Sequence, residues 1–186
     1  MNRIQFVEFD NKQYKLKVNT MKKIIITTAL ILFAGITYSQ TLTEEEMKTL
    51  IEEYVEAVTD ANMSAMDEFL SPDMKHHAVD NETIGIDGWK FLVAANKKAY
   101  PDWTLTIDEL IISGNKAVAK FTSKGTNTGK GSSGAMEPTG KKITYSGVTI
   151  FHIADGKIIK ERVFYNVVPI LAKLGFTIIP PETQNE

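Results

Sequence analysis

The chain has 186 residues, a length that favours one domain, and 43% hydrophobic with 24% charged residues, as in an ordinary globular protein. It has no cysteine, which excludes disulfides, thiol nucleophiles and cysteine-based zinc sites. The net charge of −2 hides an asymmetry: residues 1–39 hold six Lys/Arg and two Asp/Glu, leaving 15 basic against 21 acidic side chains beyond them. An acidic remainder argues against nucleic acid as the main partner.

Residues 21–39 read as a secretory signal peptide. Lys22 and Lys23 precede a 13-residue apolar run from Ile24 to Ile36, and Thr37 and Ser39 are the small residues before a cut at Gln40. The run covers only about 20 Å, too short for a bilayer core of about 30 Å. A secreted or periplasmic domain over residues 40–186 is therefore expected, with no membrane span after removal of the signal. Residues 1–20 read as an early-called start or an extension, with Met21 the expected first residue.

In the remaining chain, Thr43 and Glu46 form a capping box ahead of a helix carrying Met47, Leu50, Ile51, Tyr54, Val55 and Val58 on one face. A second short helix is expected over Ser64–Leu70, ended by Ser71-Pro72-Asp73. Residues 74–80 read as a short strand or rim, and a third helix runs from about Asp87 to just before Pro101. From Trp103 the hydrophobic period changes to two. Strands follow near 103–110, 117–123, 142–153 and 157–166, with turns at Ser113-Gly114-Asn115 and Ala154-Asp155-Gly156. The Gly- and Ser-rich stretch 125–141 reads as a hairpin loop. Helices first and antiparallel strands afterwards predict α+β: a cone-shaped curved sheet against three N-terminal helices, enclosing one pocket.

Several segments then resemble a known family. Gly125-Thr126-Asn127-Thr128-Gly129, Pro138-Thr139-Gly140-Lys141, Asp155-Gly156-Lys157-Ile158, Tyr100-Pro101-Asp102 and Leu174-Gly175 occur in the order found in SnoaL-like polyketide cyclases and ester cyclases. The resemblance spans about residues 44–176. It implies a nuclear-transport-factor-2-like fold, commonly a homodimer, acting on a small hydrophobic carbonyl compound by proton transfer. It also implies a catalytic aspartate late in the last strand, where this chain has Asn166. An amide cannot ionise, but it can donate a hydrogen bond to a carbonyl or enolate oxygen.

Two functional readings therefore stand. One is a cyclase- or isomerase-type enzyme with a non-standard base, His77 or His152, assisted by Asn166. The other is a non-catalytic protein of the same fold that binds a small apolar ligand. Adjacent strand residues point to opposite sides, so only one of His76 and His77 faces inward; His77 is the expected one. Trp89, Phe91, Trp103, Arg162 and Phe164 are the expected substrate-binding residues. His76, His77, Asp73 and Asp80 lack a firm third ligand on one side, so neither a metal nor a cofactor is expected.

Overall fold

The computed structural model describes residues 42–80, 82–130 and 137–177. The leading segments 1–20 and 21–39, part of the Gly-rich loop and the end from residue 178 lie outside the described residues.

Helix α1 (Glu44–Thr59) starts at the capping box. Glu46 receives the Thr43 amide at 2.8 Å, and its own amide donates to the Thr43 hydroxyl at 3.2 Å. The helix buries Met47, Ile51, Tyr54, Val55, Ala57 and Val58; each such large apolar side chain contributes about 1.5–3 kcal/mol. Helix α2 (Met63–Phe69) is capped by Asn62, whose side chain accepts from Ala65. Strand β1 (Leu70–His77), strand β2 (Thr83–Ile84) and helix α3 (Ile86–Ala99) follow. The remaining strands are β3 (Thr104–Ser113), β4 (Lys116–Thr126), β5 (Lys142–Ala154) and β6 (Lys157–Tyr165), before a last helix, α4 (Val168–Leu174).

The strands form one curved, unclosed sheet in the order β2-β1-β6-β5-β4-β3. The architecture is the predicted α+β, with two additions. Strand β1 pairs with β6 in parallel, and the segment after Asn166 is helical, closed by Gly175 in the left-handed region at φ 104°. The β5–β6 hairpin turns on Asp155 and Gly156, both at positive φ (49° and 71°), as a two-residue turn requires.

One irregularity decides which residues face inward. Ile153 pairs with Ile158, but His152 pairs with Lys160. Ile159 is thus an extra residue in β6, a bulge that reverses the alternation beyond it. Ile158 is buried, and after the bulge Glu161 is the next fully buried residue of the strand. The main core joins the buried face of α1 to Met66, Leu70, Met74, Phe151, Ile153 and Ile158. Among the described residues no helix is long and apolar enough to cross a membrane.

Candidate active site

Between α1, α3 and the inner sheet face lies a cavity of about 370 Å³. Helix α3 contributes Trp89, Val93 and Asn96 to its lining, a spacing of four and three that keeps them on one face, and its C-cap Tyr100 adds to them. Strand β5 contributes Tyr145, Thr149 and Phe151, and β6 contributes Glu161, Val163 and Tyr165. From β1 comes His76.

At one end four side chains form a continuous hydrogen-bonded chain. Trp89 Nε1 donates to Tyr54 Oη at 2.7 Å, and Tyr54 Oη donates to Glu161 Oε2 at 3.0 Å. Glu161 Oε1 lies 2.6 Å from His76 Nδ1, with the His76 and Glu161 side chains only 4% and 3% exposed. An ionised carboxylate can only accept, so Nδ1 carries the bridging proton, and in the neutral imidazole Nε2 then presents a lone pair. No buried side-chain nitrogen or oxygen among the described residues lacks a partner. Nε2 has no protein hydrogen-bond partner among those residues and is the ring nitrogen left for the cavity. The Trp89 indole stacks on the imidazole, with centroids 3.9 Å apart and planes 9° apart. Burial, with the neighbouring Glu161 charge, pushes the Tyr54 phenol well above its ordinary 10.0. Tyr54 therefore stays a neutral donor that fixes the carboxylate.

This arrangement relocates several expected site residues. His76, not His77, faces the cavity. His77 lies on the opposite side of β1, where its Nδ1 sits 2.8 Å from the Thr83 hydroxyl. Its pKa is lowered by desolvation and by Lys160 and Arg162. His152 pairs with Lys116 and Lys160 in the outer part of the sheet, and its pKa too is lowered, by desolvation and by those two lysines. Arg162 and Phe164 belong to the outer face, with the guanidinium 6.0 Å from the Phe164 ring centroid. Asn166 is exposed just past β6, and its Oδ1 accepts from the Val168 amide at 3.1 Å at the start of α4. Phe91 is 62% exposed and lies off the lining face of α3. Trp89 and Trp103 do line the cavity.

The site residues missed from sequence are His76, Glu161, Tyr54, Tyr100, Tyr145 and Tyr165. The bulge at Ile159 explains the β6 residues, because simple alternation from the buried Ile158 selects Lys160 and Arg162. In β5 the odd-numbered face, Ile143 to Ile153, is the more apolar one and was the available signal. Among the described residues no group of three His, Asp or Glu side chains is placed to hold a metal.

The segments that carried the resemblance shape the cavity from behind. Asn127 is fully buried; its Oδ1 accepts from the Thr139 amide at 2.8 Å, and its amide nitrogen donates to Gly129 O at 3.2 Å. Gly129 donates to Ala99 O at 3.1 Å. A Cβ on Gly129 would fall 1.9 Å from the Lys98 carbonyl oxygen, so only glycine permits this approach to the end of α3. Beside it, Asp102 accepts from the Thr126 amide and hydroxyl at 2.6 and 2.7 Å, bonds that lower its pKa.

The family model of the SnoaL-like polyketide cyclases matches residues 48–174, and the chain belongs to that family. A comparison with curated proteins gives no match. Among solved structures, TsrD from Streptomyces laurentii is 25% identical, with a TM-score of 0.64 over 72% of this chain and 98% of that one. AclR from Streptomyces galilaeus, provisionally assigned as a hydroxylase, is 24% identical at TM-score 0.65 over 75% and 87%. A SnoaL-like polyketide cyclase, provisionally so assigned, from Jannaschia sp. CCS1 is 17% identical at TM-score 0.66 over 75% and 99%, a likeness of fold.

Proposed function

We propose that the chain is an enzyme that removes a proton next to the carbonyl of a small, uncharged, apolar compound, with His76 as the base. The observation that carries this reading is the buried His76–Glu161 pair at the wall of a mostly apolar cavity. Nε2 takes the proton from carbon, and the C–H electron pair moves into an enolate. The imidazolium so formed lies between the Glu161 carboxylate and the Trp89 face, both suited to a cation. In a cyclisation the enolate carbon bonds to a second carbonyl carbon, whose oxygen then takes the proton from Nε2. Tyr54 and Trp89 are positioning residues. General-base catalysis of this kind supplies about 10²–10⁴ in rate.

The test is exchange of the acetyl protons of 2-acetonaphthone in D₂O, followed by proton NMR. Exchange above the buffer rate that is abolished in His76→Gln is expected. Exchange no faster than buffer, or unaffected by that substitution, refutes the proposal. The second reading, a ligand-binding protein without chemistry, is favoured by the apolar character of the lining and predicts bound ketone with no exchange.

We further propose export after removal of residues 21–39, and a homodimer formed through the outer sheet face. The apolar Ile111 and Phe164, 57% and 45% exposed, support the latter. Light scattering of the purified protein should give twice the monomer mass; a monomer refutes it.

A further inference from the structure

The cavity has a second polar end that the proton-abstraction chemistry does not use. Tyr145 and Tyr165 face each other with ring centroids 5.0 Å apart, and Tyr100 completes the group from the C-terminal end of α3. Tyr165 lies four residues beyond Glu161 on the same face of β6, hence about 13 Å along the strand. Gly147 pairs with Tyr165, and Tyr145 lies two residues further along β5 in the same direction. The phenols are therefore a separate subsite, not an extension of the His76 network.

The structure holds these rings in place. Ser123 is the cross-strand partner of Tyr145, is 1% exposed, and takes the Trp103 indole N–H at 2.9 Å. Phe121 packs edge-on against Tyr145 with centroids 6.3 Å apart. The Tyr100 side chain lies against Gly125, where an added Cβ would come 3.0 Å from the Tyr100 Cβ and 3.3 Å from its ring. Among the described residues that line the cavity there is no lysine or arginine, so no permanent cation meets an anion there.

We propose that Tyr100, Tyr145 and Tyr165 form a phenolic subsite for a neutral acceptor oxygen, so that the ligand is an elongated, uncharged compound oxygenated at the end remote from His76. Neutral phenols donate hydrogen bonds to ether, carbonyl or quinone oxygens, and their rings stack on a flat apolar body. Burial raises the pKa of all three, which keeps them donors across the physiological range. A ligand about 10–13 Å long reaches from the imidazole to this group, whereas a single ring does not. The assignment of which ligand end meets His76 rests on the proton-abstraction reading; the phenolic subsite itself does not.

Both tryptophans of the chain, Trp89 and Trp103, line the cavity, so ligand binding is readable as quenching of intrinsic fluorescence. The probes are 2-acetonaphthone and 6-methoxy-2-acetonaphthone, which differ by an ether oxygen at the far end. The wild type should bind the methoxy compound about threefold to tenfold more tightly, the worth of one neutral hydrogen bond. Tyr145→Phe/Tyr165→Phe should erase that preference. With no variant needed, 6-methoxy-2-naphthoate at pH 8 should bind at least about tenfold more weakly than the methoxy ketone, since its carboxylate finds no permanent cation. No preference for the methoxy ketone in the wild type, an intact preference in the double variant, or equal binding of the naphthoate would overturn the proposal. Acetyl-proton exchange is scored separately. Its absence beside the expected affinity pattern refutes the base assignment and leaves the subsite standing. Its presence without that pattern refutes the subsite alone.

Discussion

Replacing Glu161 separates what the carboxylate does for the fold from what it does for the imidazole. Its two oxygens accept from two buried donors, His76 Nδ1 at 2.6 Å and Tyr54 Oη at 3.0 Å. Glu161→Leu leaves both donors without a partner, and each orphaned buried donor costs about 1–3 kcal/mol. The sum, about 2–6 kcal/mol, is offset in part by removing a buried charge. A domain of this size loses about 2–4 °C of Tm per kcal/mol, so a fall of roughly 4–24 °C is expected before that offset. Glu161→Gln behaves differently. Its amide oxygen still accepts from Tyr54, and its NH₂ donates to Nδ1, so stability should stay within about 1–2 kcal/mol of wild type. The imidazole must then carry its proton on Nε2, and the lone pair facing the cavity is lost. Long-range nitrogen–proton NMR of the His76 ring reports this directly, with Nδ1–H in the wild type and Nε2–H in Glu161→Gln. Thermal melts supply the stability arm. A wild-type ring protonated on Nε2, or a Glu161→Leu protein that melts with the wild type, would refute the reasoning.

Three further outcomes are expected. Gly129→Ala puts a methyl 1.9 Å from Lys98 O and displaces the bond to Ala99 O; a loss of about 2–4 kcal/mol should appear as a lower urea midpoint. Tyr54, Tyr100, Tyr145 and Tyr165 all have pKa values raised above 10.0, chiefly by burial. The stability they contribute is fully present below pH 10 and lost as pH rises through the folded-state values. Phenolate absorbance of these four should therefore grow only as circular dichroism reports unfolding, and ionisation of all four at pH 10 in a folded protein would contradict it. Asn166→Asp and His152→Ala alter side chains outside the cavity, so neither should change the affinity for 2-acetonaphthone, measured by fluorescence, by more than about twofold.

Much of the fold was legible because its signals are local. The Thr43–Glu46 box, the α1 stripe from Met47 to Val58, and the Asp155-Gly156 turn each act within a few residues, so their chemistry is visible in the sequence. Helix α4 has no such local signal: its first turn contains Pro169, which is well placed there but also fits a loop. The parallel pairing of β1 with β6 joins residues 85 apart, as in the His76–Glu161 contact, and no local pattern encodes it.

The site was harder to read because it depends on parity. A strand pattern names two faces but does not say which meets the helices, and a single inserted residue exchanges them. In β1 the choice between His76 and His77 turns on Met74, buried on the same side as His76; an apolar residue two positions before a histidine was the usable clue. In β6 no such clue exists, since the bulge at Ile159 is set by pairing with β5. Glu161 illustrates the consequence. As a carboxylate in a strand between Lys160 and Arg162 it reads as part of a solvated charged face, yet only 2% of it is exposed. A charge so buried persists because Tyr54 and His76 each meet one of its oxygens. Those partners come from α1 and β1, so the residue's role becomes visible only when three distant segments are assembled around it.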